Sequence, residues 1–190
     1  MKKLTYLKRK KAFTLVELVI VIAIVGVLAG VLLPVMVGAV RSANVASANS
    51  SATDVRKFVN MWLTQMDAKG HTINKTMNTD NEPYIKVVAD KGIYDIEFSD
   101  TFWAGSENVD ELTDSLNDHL IYNLGYHELV AVGYLHNGAI AALAYCVNKS
   151  ESTTDMPVFD DFSRTDYWPG SNGIAADGTV IGTSPQILNG

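Results

Sequence analysis

One cysteine, Cys146, in 190 residues leaves no partner for an intramolecular disulfide and no multi-cysteine zinc site. Basic charge is scarce: Lys and Arg number 15 against 21 Asp and Glu. Residues 1–12 hold six of the basic residues and no acid, so from Phe13 onward nine stand against twenty-one, a net of −12. Such an acidic body lacks the basic footprint that phosphate binding needs, and direct nucleic-acid binding is not expected. Catalytic signatures are missing too. His71, His119, His127 and His136 are scattered, with no HExxH, no nucleophile elbow and no phosphate-cradling glycine loop, so neither enzyme activity nor a cofactor is expected. Mean hydropathy near zero excludes a polytopic membrane protein, and one N-terminal stretch supplies much of the apolar content.

From Leu18 to Val40 there are 23 residues without a charge. A helix of that length covers roughly 35 Å, enough to span a bilayer. Six Lys/Arg precede it and only Arg41 follows closely, so the positive-inside rule leaves the basic end in the cytoplasm and exports the acidic body. A secretory signal peptide offers one explanation, with a small-residue site at Ala46-Ser47-Ala48 before Asn49, but its apolar region is ordinarily about 7–15 residues long. A plain membrane anchor offers another. Neither accounts for Glu17, an acid with apolar residues on both sides: a carboxylate near the centre of such a segment costs about 2.5–3.5 kcal/mol on insertion scales, less near the interface, and asks for a cation.

The segment Ala12-Phe13-Thr14-Leu15-Val16-Glu17-Leu18 and its continuation through Leu28 closely resemble the N-terminal motif of type IV prepilins and of the pseudopilins of type II secretion and competence systems. The resemblance covers about 30 residues, through Pro34. It implies that a prepilin peptidase removes the basic leader, residues 1–12, between Ala12 and Phe13 and methylates the new amine of Phe13. It also implies that Glu17, the fifth residue of the mature chain, guides assembly. Ala12 departs from the glycine that most often precedes the cut. The chemistry agrees: an α-amine with an ordinary pKa near 8 is mostly cationic at neutral pH and can neutralise a neighbouring subunit's Glu17 in an apolar bundle. The intramolecular alternative pairs the amine with Glu17 of its own chain, one helical turn away.

Past Arg41, residues Val45, Ala48, Ala52, Val55, Val59, Trp62 and Met66 recur at spacings of 3, 4, 3, 4, 3 and 4. That is a helical stripe, and it predicts one long helix from about Phe13 to Asp67, ending near Gly70. Residues 13–40 form its transmembrane or filament-core half and residues 41–69 its amphipathic half, with residues 70–190 as a globular head. Gly26, Gly30 and Gly38 permit close helix approach, and Pro34 is expected to kink the helix. In the head, Tyr84–Ala89 and Gly92–Phe98 read as strands of a hairpin around Asp90-Lys91. Val109–Tyr122 reads as a helix through Leu112, Leu116, Leu120 and Ile121. Glu128–Leu135 and Ala139–Val147 flank Asn137-Gly138, a strong hairpin signal. The C-terminal forty residues, with a turn at 176–180, read as ordered but irregular surface. The expected class is α+β, a long helix packed on an antiparallel sheet, as in pilins.

Cys146 in an apolar strand reads as a buried, inert thiol, so the disulfide of many Gram-negative pilins has no counterpart. Asp155, Asp160, Asp161 and Asp166 are read as solvated surface rather than a calcium site, and no metal is expected. Asn74-Lys75-Thr76 and Asn148-Lys149-Ser150 fit a glycosylation pattern too common to weigh. The expected function is a structural subunit of a type IV pilus, a homo-oligomeric helical filament. Its expected partners are the prepilin peptidase/methyltransferase, the platform protein and ATPase of pilus assembly, minor pilins, and the membrane before assembly. The cytoplasmic membrane, crossed once with the head outside, and then the cell surface are the expected locations. A pseudopilin of type II secretion or DNA uptake is the alternative within the family; an exported binding or enzymatic domain behind a signal peptide or anchor is the alternative outside it.

Overall fold

The computed structural model describes residues 13–75, 83–147 and 180–184. Its elements are α1 (Leu15–Lys69), β1 (Tyr84–Asp90), β2 (Ile93–Phe98), α2 (Val109–Leu124), β3 (Leu129–His136), β4 (Ala139–Val147) and β5 (Ile181–Ser184). The class is α+β, as the sequence predicts. The chain divides into two units, one running through Arg41 and the other beginning at Ser42.

In the first unit, the large apolar side chains of α1 from Leu15 to Val40 are all 49% exposed or more among the described residues. A Cβ placed on Gly26, Gly30 or Gly38 would meet no atom within 4 Å. The helix assignment continues through Pro34.

In the second unit, α1 buries Ala48, Ala52, Val55, Val59, Trp62, Leu63 and Met66. These are the predicted stripe with Leu63 added and Val45 only half-buried. The periodicity therefore marks the face that meets the sheet. Trp62 anchors it: the indole is 1% exposed, lies 6.1 Å from the Phe98 ring and 6.0 Å from Trp103, and donates to Ser115 Oγ of α2 at 3.1 Å. The helix ends where Gly70 adopts φ +97°, a conformation that costs glycine little. Along α2, Leu112, Leu116 and Leu120 are buried, as their spacing predicts.

The strands form one antiparallel sheet in the order β2-β1-β3-β4-β5. Both hairpins turn through two residues with positive φ, Lys91-Gly92 and Asn137-Gly138, the conformation whose twist suits antiparallel strands. The first turn thus lies one residue later than Asp90-Lys91, because Gly92 accepts the second left-handed position and an aspartate at 90 can stay in the ladder. An irregularity in the β3–β4 register leaves Ala141 as an extra residue between the pairs Leu135–Ile140 and Tyr134–Ala142. This bulge keeps Ile140, Leu143 and Tyr145 all buried. Gly133 on β3 makes room for them, since a Cβ there would stand 3.0 Å from Ile140 and 3.1 Å from Ile85.

The expectation of irregular surface at the C-terminus fails over Ile181–Ser184. These residues form a buried strand, β5, beside β4. Gly182 is the reason it fits: a side chain there would collide with the Ala48 carbonyl of α1. The four-residue strand is too short for a clear alternation, and Gly182 is a contact residue of the strand.

Candidate functional site

The first turn of α1 is built by Thr14 and Glu17. Thr14 is the residue before the helix, and its N–H donates to Glu17 Oε2 at 2.8 Å while its hydroxyl donates to the same oxygen at 2.9 Å. In return, the Glu17 N–H reaches Thr14 Oγ1 at 3.3 Å. Thr-x-x-Glu in this reciprocal arrangement is a capping box, which satisfies two of the donors that a helix start leaves over. The pattern is visible in the sequence as Thr14-x-x-Glu17. A carboxylate in the first turn also faces the positive end of the helix dipole. Glu17 thus has a local role that positions it, with Oε1 keeping acceptor capacity for a further donor.

Phe13 stands immediately before the capping residue and is 87% exposed. Ala12 lies outside the described residues. Pro34, lacking an N–H, leaves the Gly30 carbonyl without its helical donor. By length and composition α1 is able to cross a membrane.

Among its described residues, the head offers no second chemical centre of comparable definition. Its histidines are not brought together. His71 Nδ1 lies 2.6 Å from Glu107 Oε2, and Glu107 also accepts the Thr72 N–H at 2.9 Å; the His71 contact, then the Thr72 bond, hold the Glu107 carboxyl below its usual range. Burial pushes the His119 imidazole down, against a hydrogen bond with the Phe58 main chain. The His127 N–H donates to Tyr94 Oη at 3.1 Å, and that hydroxyl in turn donates to the Gly125 carbonyl at 2.8 Å. An open cleft beside α1 carries Ser51, Asp54, His127 and Tyr145, but the Tyr145 hydroxyl is engaged with Ser51.

No group of three or more metal-ligating side chains occurs among the described residues. Asp155, Asp160, Asp161 and Asp166 lie outside them, as do Asn148 and most of the 176–180 turn. Asn74 uses its side-chain amide to bond the Thr101 carbonyl at 2.6 Å, so the first glycosylation pattern places its asparagine in an internal contact. Cys146 is buried on β4.

An apolar helix with an acid in its capped first turn, continuing into an α+β head, defines a membrane-compatible subunit whose exposed helix asks for apolar surroundings. A family model described as the prokaryotic N-terminal methylation motif matches residues 7–33. The chain is 39% identical over 69 residues to the type IV wide pilus major component PilA4 of Thermus thermophilus, covering 36% of this chain and 51% of the relative. It thus spans about half the length of the curated relative it matches. No solved structure matches the chain. The likeness thus lies in the N-terminal part of the chain, which carries the methylation motif and is similar to a type IV pilus component.

Proposed function

We propose that the chain is the structural subunit of a type IV pilus. One observation carries this reading most strongly. Glu17 lies, capped by Thr14, in the first turn of a helix whose next 23 residues are uncharged, with every large apolar side chain exposed, inside the segment that matches the methylation motif. Cleavage between Ala12 and Phe13 removes the basic leader and creates the amine that is methylated at Phe13. Until assembly, the helix from Phe13 to Val40 rests in the cytoplasmic membrane with the head outside.

In the filament, the same apolar surface is buried against neighbouring helices instead of lipid, so the transfer is nearly neutral and is driven by an assembly ATPase and its platform protein. Minor pilins complete the machinery. Glu17 takes the cationic amine of a neighbouring subunit, because an unpaired charge in an apolar bundle costs several kcal/mol, on the order of 3–5, when one partner is removed. The open space around Gly26, Gly30 and Gly38 supports the reading: nothing among the described residues requires their small size, whereas close approach by a neighbouring helix does. Pro34 loosens the helix where it enters this packing. The role is structural, without catalysis.

The pilus is favoured over a secretion or uptake pseudopilus by the similarity to a protein named as a major pilus component. Expression of Glu17→Ala in the native cell tests the pairing. The variant is expected to insert and be cleaved normally but to be missing from sheared filaments; normal filaments from it would sink the assigned role of Glu17.

A further inference from the structure

Three asparagines, two on α1 and one on α2, each accept a main-chain N–H from the sheet. Asn60 accepts the Ile140 N–H at 2.6 Å and donates to the Ile140 carbonyl at 3.1 Å. Asn49 accepts the Thr183 N–H at 2.8 Å, and Asn117 accepts the Tyr94 N–H at 2.8 Å. Each takes a main-chain donor from the rim of the sheet. Strands β2 and β5 are its outer strands among the described residues. Strand β5 pairs only with Leu143 to Cys146, so Ala139 to Ala142 of β4 have no strand beyond them among the described residues.

Helix α1 supplies what is missing there. The Ala141 carbonyl, at the bulge, accepts Arg56 Nη1 at 3.1 Å, and Thr53 meets Ser184 Oγ at 3.2 Å. Asn49, Thr53, Arg56 and Asn60 recur at spacings of 4, 3 and 4, a polar stripe running directly beside the buried stripe of Ala48, Ala52, Val55 and Val59. The side chain of Asn60 presents one acceptor and one donor to one residue, which is what a neighbouring antiparallel strand presents at a hydrogen-bonded pair.

A row of open N–H and C=O groups at a sheet edge is a template for another chain. We infer that Asn49, Arg56 and Asn60 of α1, together with Asn117 of α2, are edge guards that prevent the sheet from pairing with a strand of a second copy of this chain. An apolar residue at 49 or 60 would pack as well on the strand but leave its N–H unsatisfied, a cost the amide avoids. The guard confines association to surfaces other than the sheet edge, and this holds whether or not the chain forms a pilus.

The test uses the full chain in detergent micelles, with thioflavin T fluorescence and the amide I infrared band reporting strand association. The double variant Arg56→Ala/Asn60→Ala is compared with Val59→Ala, which weakens the core without opening an edge. A third protein adds Ala141→Lys to the double variant, placing a charge on the opened rim at an exposed position. The lag before thioflavin-positive material is expected to shorten by at least about tenfold in the double variant, less in Val59→Ala at a matched melting temperature, and to recover with Ala141→Lys. A lag unchanged in a folded double variant, an equal shortening in Val59→Ala, or no recovery with Ala141→Lys overturns the inference. Should the double variant not fold, Asn117→Ala opens the other edge and carries the same readout against the same control.

Discussion

His119 is half-buried, and its Nε2 atom is buried without a partner among the described residues. Burial lowers its pKa in the folded chain, so the folded form prefers it neutral while the unfolded chain protonates it near its ordinary value of about 6.5. The unfolded state therefore binds more protons as pH falls below that value, and the stabilisation present above it is lost on the way down to the folded pKa. Melting temperature is expected to drop between pH 7 and pH 5, and His119→Gln, which does not titrate, is expected to flatten that part of the profile. An unchanged slope would place the sensitive group elsewhere. Gly182 makes a different demand. With the Ala48 carbonyl where a side chain would go, Gly182→Ala is expected to cost about 1–3 kcal/mol by overpacking, read in urea unfolding of the chain in micelles. Neither role was legible in the sequence. The histidine read as one of four scattered residues and the glycine as part of a loop, because both depend on which distant backbone lies opposite. Thr14 and Glu17 were legible in principle, since a capping box is a local pattern.

The elements themselves were largely written in the chain, for reasons that differ. The stripe from Ala48 to Met66 repeats over five turns, so the buried face of α1 declared itself, and Asn137-Gly138 fixed one hairpin through its left-handed turn. Hairpin Lys91-Gly92 slipped by a residue because a glycine was assigned to the strand rather than to the turn. Strand β5 was missed because four residues ending in Thr-Ser carry too little periodicity. The polar stripe from Asn49 to Asn60 escaped as well: polar residues beside an apolar stripe ordinarily face water, and only the position of β4 and β5 turns them into partners. The buried stripe makes its own prediction. Trp62→Ala removes the indole from its contacts with Phe98 and Trp103 together with the bond to Ser115, and is expected to cost about 3–5 kcal/mol. Far-UV circular dichroism during denaturation checks it; a loss below about 1 kcal/mol would mean the aromatic cluster does not hold α1 to the sheet.

At the scale of the whole molecule, the uneven charge has a physical cause in the proposed processing. In that proposal a leader with six basic residues is discarded, and the acidic remainder comprises an apolar helical segment and a unit whose sheet has guarded edges. Under the proposed function, association runs through the apolar helix. The long helix and the antiparallel sheet followed from periodicity and turn chemistry, whereas filament formation rests on the motif around Glu17 and on similarity to a pilus component. Mass spectrometry of the N-terminal peptide from the mature protein, isolated with sheared cell-surface material, tests this most directly. The account predicts a chain that begins at Phe13 with a methylated amine. A mature chain beginning at Asn49, as after signal-peptide cleavage, or an intact Met1 would contradict it.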